Sequence, residues 1–180
     1  ALSDLIAIVI TIFLILVNGI FVAVEFALVT SRRSKMEQLA EAGNRSARTG
    51  LDLMADLPLS ISGAQLGITI SSLGLGLVAE PAFAKIIEAI FTEPLGFPSS
   101  LAHAISFSIA LFIVVFLHMV LGEMVPKNFA LTDSEIVLCR VSRFHRSFIF
   151  VFGPLIWVLN RASSFMLKPF GVNQVAELGI

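Results

Sequence analysis

The chain has 180 residues, a formal net charge of −1 and a mean hydropathy of +0.94, with 57% hydrophobic and only 14% charged residues. A soluble domain of this size carries roughly 25% charged residues to face water, so the composition argues against a soluble globular protein. The near-neutral charge gives no footprint for nucleic acid. The single cysteine, Cys139, rules out an intrachain disulfide and reads as a small packing residue.

The first apolar block, residues 5–30, has no basic segment before it and runs on past any signal-peptide core. It reads as a permanent membrane span whose last turns exceed a ~30 Å hydrocarbon layer. Arg32, Arg33, Lys35, Arg45 and Arg48 follow, with Met36, Leu39, Ala47, Leu51 and Met54 at helical spacing. Residues 34–57 therefore read as an amphipathic helix on the membrane surface, interrupted near Gly43-Asn44. A second span is expected at 59–79, rich in serine, threonine and glycine as a packed or cavity-lining helix would be. Glu80, Glu88 and Glu93 follow, and Pro81, Pro94 and Pro98 predict a loop with a short helix around 82–90. The third span, 101–121, is uniformly apolar.

The stretch 147–159 is short for a crossing and is punctuated by Gly153-Pro154. Arg140, Arg143 and Arg146 precede it and Arg161 and Lys168 follow, so the positive-inside bias puts both of its ends on one side. Residues 134–167 thus read as interfacial or re-entrant. The fold class is an all-α membrane protein: three transmembrane helices plus cytoplasmic juxtamembrane amphipathic helices. The N-terminus is expected outside and the C-terminus in the cytoplasm.

Polar residues inside a membrane are costly unless paired or functional. Asn18 and Glu25 lie two helical turns apart and share a face, as do Gln65, Thr69 and Ser72. Pro126 has no amide hydrogen and clashes with the carbonyl of Gly122, so the third helix must kink or stop and free carbonyls at 121 and 122. Glycine at 122 leaves that backbone open to a ligand. Free carbonyls, the Glu123 carboxylate and side-chain oxygens suit magnesium, calcium or sodium better than zinc or copper. Plainer roles exist for each residue. Glu123 and Lys127 are spaced for a salt bridge, Glu25 has Arg32, Arg33 or Lys127 within reach, and Gln65, Thr69 and Ser72 can be interhelical glue. Gly63, Gly67 and Ser71 form a close-packing stripe. His118 reads as a packed, hydrogen-bonded residue, and His103 and His145 carry no specific signal. No catalytic triad, phosphate-binding glycine loop or zinc-protease motif occurs, so nothing suggests an enzyme.

The run Leu121-Gly122-Glu123-Met124-Val125-Pro126-Lys127 closely resembles the GExxPK signature of the CorC/CNNM family of magnesium transporters. The stretch from Asn18-Gly19 to Glu25-Phe26-Ala27-Leu28 resembles that family's first-helix motif, and Gln65-Leu66-Gly67-Ile68-Thr69 its bacterial second-helix motif. The resemblance implies a dimeric, three-span domain of the inner membrane with magnesium bound between the helices as cargo. Glu123 and the Gly122 backbone would be ligands, Asn18 stands where eukaryotic relatives carry serine, and Gln65 and Thr69 fill the polar second-helix positions. Ser72 joins this set on helical geometry alone. Val22 and Glu25 depart from the eukaryotic serine and asparagine. The resemblance further implies magnesium export with sodium as the coupling ion. A membrane magnesium sensor or scaffold that regulates another transporter is the alternative. Family members continue into tandem CBS modules and a small C-terminal domain, which are expected to be absent here. The expected partners are the lipid bilayer, a second copy of the chain, Mg2+ and Na+, with no nucleic acid.

Overall fold

The computed structural model describes the backbone of residues 2–92 and 98–170, and every element in it is helical. In order these are α1 (Leu2–Thr30), α2 (Arg33–Glu41), α3 (Arg45–Ala55), α4 (Leu57–Thr92), α5 (Ser99–Leu117), a π-helical turn (His118–Met124), α6 (Val125–Thr132) and α7 (Ser134–Leu167), closed by a 3-10 turn (Lys168–Phe170). Four segments are long and apolar enough to cross a membrane: Leu5–Thr30, Leu57–Ala89, Ser100–Thr132 and Ser134–Leu167. The chain is therefore an all-helical, multi-pass membrane protein.

Two proline-based expectations are corrected. The second apolar helix does not end near 79 with a loop and a separate short helix; α4 runs unbroken to Thr92, with Pro81 inside it. Buried Ala79, Ala82 and Ala84 hold both sides of the proline, and Ala79 packs with Ile15, Leu75 and Val114. Tertiary packing thus outweighs the hydrogen bond that Pro81 removes. Pro154 likewise does not break α7. Ile149 and Ile156, one on each side of it, both press on Gly63 of α4. Glu93, Pro94 and Gly96 lie outside the described residues.

The surface segment after α1 is two helices. Gly43, at φ 93°, ends α2 in the left-handed region that glycine tolerates. Asn44 then caps α3, its Oδ1 accepting from the amides of Ser46 and Ala47. Together α2 and α3 fold back on the last turns of α1. Val24, Ala27 and Leu28 are buried there with Met36, Ala47, Leu53, Ala130 and Leu138. Each large apolar side chain so buried contributes about 1.5–3 kcal/mol. Glu135 closes the same corner. Its nearly buried carboxylate accepts from the Arg32 amide and guanidinium at 3.3 Å and from Lys35 Nζ at 3.1 Å, pinning α7 to the start of α2.

α1 and α4 run antiparallel and close together because small residues line their seam. A methyl group on Gly67 would lie 2.5 Å from carbons of the Phe21 ring, and Gly63 is pressed by α7 in the same way. The glycine–serine stripe of the second span is thus spent on packing inside the chain. Phe21, 2% exposed, continues outward onto Phe148 and Phe144 of α7, at 4.6 and 5.3 Å between ring centroids. Gly67→Ala must push this ring aside. The expected cost is about 1–3 kcal/mol, read as a lower unfolding temperature by circular dichroism in detergent, whereas alanine at open Gly76 should be neutral or stabilising.

Candidate functional site

Pro126 organises the site. In a regular helix the Gly122 carbonyl would accept from the amide of residue 126, which proline lacks. The chain neither stops nor kinks into a loop there. It widens into a π turn in which the Val125 amide bonds back to Val120, five residues away. The stranded Gly122 oxygen finds its donor on another helix, 2.8 Å away, in Asn18 Nδ2 of α1. A carbonyl only accepts, so chemistry fixes the amide's orientation, nitrogen toward Gly122 and oxygen toward α4. Asn18 is 1% exposed, and an unpaired amide there would be expensive.

On its other side Asn18 Oδ1 faces Ser72 Oγ at 3.1 Å and Ser71 Oγ at 3.2 Å. Ser71 has a nearer acceptor, the Gly67 carbonyl at 2.6 Å, so Ser72 is the main donor to Asn18. Ser72 Oγ also lies 3.3 Å from His118 Nε2. With the serine proton on Asn18, Nε2 must carry the hydrogen and donate to the serine. The chain of bonds therefore runs His118 to Ser72 to Asn18 to the Gly122 carbonyl, linking α4 and α1 to two residues of the π turn. A side chain at 122 would break it, since its Cβ would sit 3.0 Å from the His118 ring and 3.2 Å from Asn18 Nδ2.

This network forms one wall of a cleft of about 210 Å³, lined by Asn18, Val22, Glu25, Phe26, Gln65, Ile68, Ser72, His118 and Glu123. At about 30 Å³ per water, that is room for a small ion and several waters. Glu25 is fixed by Gln65, whose Nε2 donates to Oε1 at 2.6 Å, leaving the second carboxylate oxygen for a ligand. No ion pair joins Glu123 to Lys127 among the described residues. Lys127 Nζ instead lies 4.7 Å above the Phe26 ring. Two carboxylates thus face one cleft, and the Lys127 ammonium lies over Phe26, which also lines it. No three His, Cys, Asp or Glu side chains converge among the described residues, so any cation held here takes amide, hydroxyl and carboxylate oxygens together.

Of the six residues proposed from the sequence, Asn18, Gln65, Ser72 and Glu123 line the cleft, and Gly122 stands behind Asn18. Thr69 does not reach it: it is exposed and its hydroxyl turns back onto the Gln65 carbonyl at 2.8 Å. Glu25 is the residue that sequence reasoning undervalued. Arg32, Arg33 and Lys127 are all within reach of Glu25 in the sequence, yet Arg32 serves Glu135, Lys127 lies over Phe26 and Glu25 turns to Gln65. Its two-turn spacing from Asn18 was the available signal. His118, expected as a packed, hydrogen-bonded residue, is that: its ring bonds Ser72.

Fold and site together define a multi-pass membrane domain with an acidic, oxygen-rich cleft beside a proline-induced π turn. The chain matches the CNNM family, described as "Cyclin M transmembrane N-terminal domain", over residues 9–178. It is 40% identical over 164 residues to UPF0053 protein YhdT of Bacillus subtilis, covering 91% of this chain and 35% of that protein. UPF0053 protein YugS of the same organism is 38% identical, covering 91% of this chain and 38% of YugS. Protein MT1889 of Mycobacterium tuberculosis is 40% identical over 174 residues, 97% of this chain and 49% of that protein. The chain thus spans between a third and a half of these relatives. It belongs to the CNNM/CorC family of transmembrane domains.

Asn18→Asp keeps the size of the side chain but removes the donor to Gly122. Both Asn18→Asp and Asn18→Ala are expected to lose about 1–3 kcal/mol of stability through the unpaired buried carbonyl. Thermal unfolding in detergent reads this, with Thr69→Val as the unaffected control.

Proposed function

We propose that this domain moves magnesium across the cell membrane, with the cleft between α1, α4 and the π turn as its binding site. The observation that carries the reading is the shared cleft of Glu25 and Glu123 with the oxygens of Asn18, Gln65 and Ser72 beside the π turn. This is a hard-oxygen set with two carboxylates, as a small divalent cation requires. Magnesium is cargo here and must leave again. The hydrogen bonds that Asn18, Ser72 and Glu25 already make within the protein support that, because these ligands can revert to them after release.

The topology in this reading has three crossings, with α2, α3 and α7 at the cytoplasmic face and the N-terminus outside. The course of α7 supports it. His145 bonds the Ser60 carbonyl and Asn160 bonds Ser62, so about 22 Å of α7 meets a single turn of α4. A fourth span, which would run parallel to α4, would instead step along it. Export against sodium and assembly as a homodimer of the inner membrane belong to the same proposal and rest on the family's transport role.

Purified protein in liposomes loaded with a magnesium-sensitive dye tests the reading. Wild type is expected to give saturable, concentrative flux that Glu123→Gln lowers at least tenfold, while the variant keeps its unfolding temperature. Saturable calorimetric binding without flux would instead favour the sensor. An unchanged flux in Glu123→Gln would remove the cleft from the pathway.

A further inference from the structure

A second groove, lined by none of the cleft residues, runs between α7 and α3. One stripe of α7, Ile136, Arg140, Arg143, Ser147 and Val151, recurs at helical spacing and faces the edge of α3 at Ser46 and Thr49. Two hollows of about 440 and 420 Å³ open along it and share Arg143 as their common wall. Its two ends differ in chemistry. At one end Arg140 and Arg143 are exposed, and no carboxylate among the described residues pairs with either; the neighbouring Arg146 is taken by Asp52 at 2.6 Å. At the other end Phe150 and Val151 are 87% and 67% exposed.

We propose that this groove is a binding site for one anionic phospholipid, its phosphate held by Arg140 and Arg143 and its acyl chain laid over Phe150 and Val151. Two guanidinium forks one helical turn apart match a phosphate's bidentate geometry. A free phosphate would use only the basic end and leave the apolar end unexplained. An acidic protein segment would not need bare aromatic surface leading away from the charges. The placement rests on α7 lying in the membrane interface, where the headgroup zone meets the hydrocarbon. The magnesium cleft is lined by none of these residues, so the two sites fail independently.

Native mass spectrometry of the purified protein, titrated with phosphatidylglycerol against phosphatidylcholine, tests the proposal. Phosphatidylglycerol is expected to be retained at least tenfold over phosphatidylcholine. The Arg140→Gln/Arg143→Gln double variant should lose roughly 30-fold in that affinity, and Arg143→Gln alone about fivefold. Arg161→Gln, on α7 but outside the groove, should leave it unchanged, and magnesium binding should survive in the double variant. Equal retention of both lipids, or unaltered affinity in a double variant with normal helicity, would overturn the proposal. Displacement of the lipid by inorganic phosphate at equal concentration would reduce the site to a phosphate site and reject the acyl chain. A double variant that loses self-association and not lipid would assign the groove to a second copy.

Discussion

A carbonyl deprived of its helical donor is the constraint on which this structure turns. Inside a bilayer no water is at hand to satisfy it, so the protein must supply a partner. Pro126 creates the vacancy at Gly122, the π turn spreads the misfit over one widened turn, and Asn18 fills what remains. Asn18 reaches Gly122 only because both helices come close. Gly122 has no side chain in the way, and Gly67, one turn from Ser71, lets Phe21 and with it α1 settle on α4. Once Asn18 is fixed by Gly122, its oxygen is aimed at Ser72, and the serine in turn at His118. The polar wall of the cleft follows from one missing amide hydrogen.

Much of this was legible in the sequence because the signals were local. A proline four residues after a glycine tells which carbonyl loses its donor, and two-turn spacings tell which polar residues share a face. That reasoning reached Asn18, Gln65, Ser72, Gly122 and Glu123, and it located the break between α2 and α3 at Gly43-Asn44. It misled where a local rule met tertiary packing. Pro81 and Pro154 read as breaks, but buried alanines beside Pro81 and the grip of Ile149 and Ile156 on Gly63 keep both helices continuous. Thr69 has the right spacing, yet a threonine in a helix satisfies itself on the carbonyl four residues back. His118 and Glu135 depended on long-range pairs that no spacing encodes, one with α4 and one with α2.

The arrangement also ties the juxtamembrane helices to the cleft. Phe21 lies one turn from both Asn18 and Glu25 and packs its ring between Gly67 and the aromatics Phe144 and Phe148 of α7. α7 is in turn anchored to α2 through Glu135 and to α3 through the bond from Ser142 to the Ser46 carbonyl. A shift of α7 therefore reaches the α1–α4 seam through the Phe21 ring and through the α7 side chains packed on Gly63, because tightly packed interiors transmit displacement.

The most direct measurement restores the missing hydrogen. Pro126→Ala returns an amide to position 126 without touching any side chain that lines the cleft. The account predicts that Gly122 then takes a helical partner, the π turn relaxes, Asn18 loses its anchor, and calorimetric magnesium binding weakens at least tenfold in a protein as stable as wild type or more so. Magnesium binding equal to wild type in a well-folded Pro126→Ala protein would contradict it, and the proline would then be a bystander to the site.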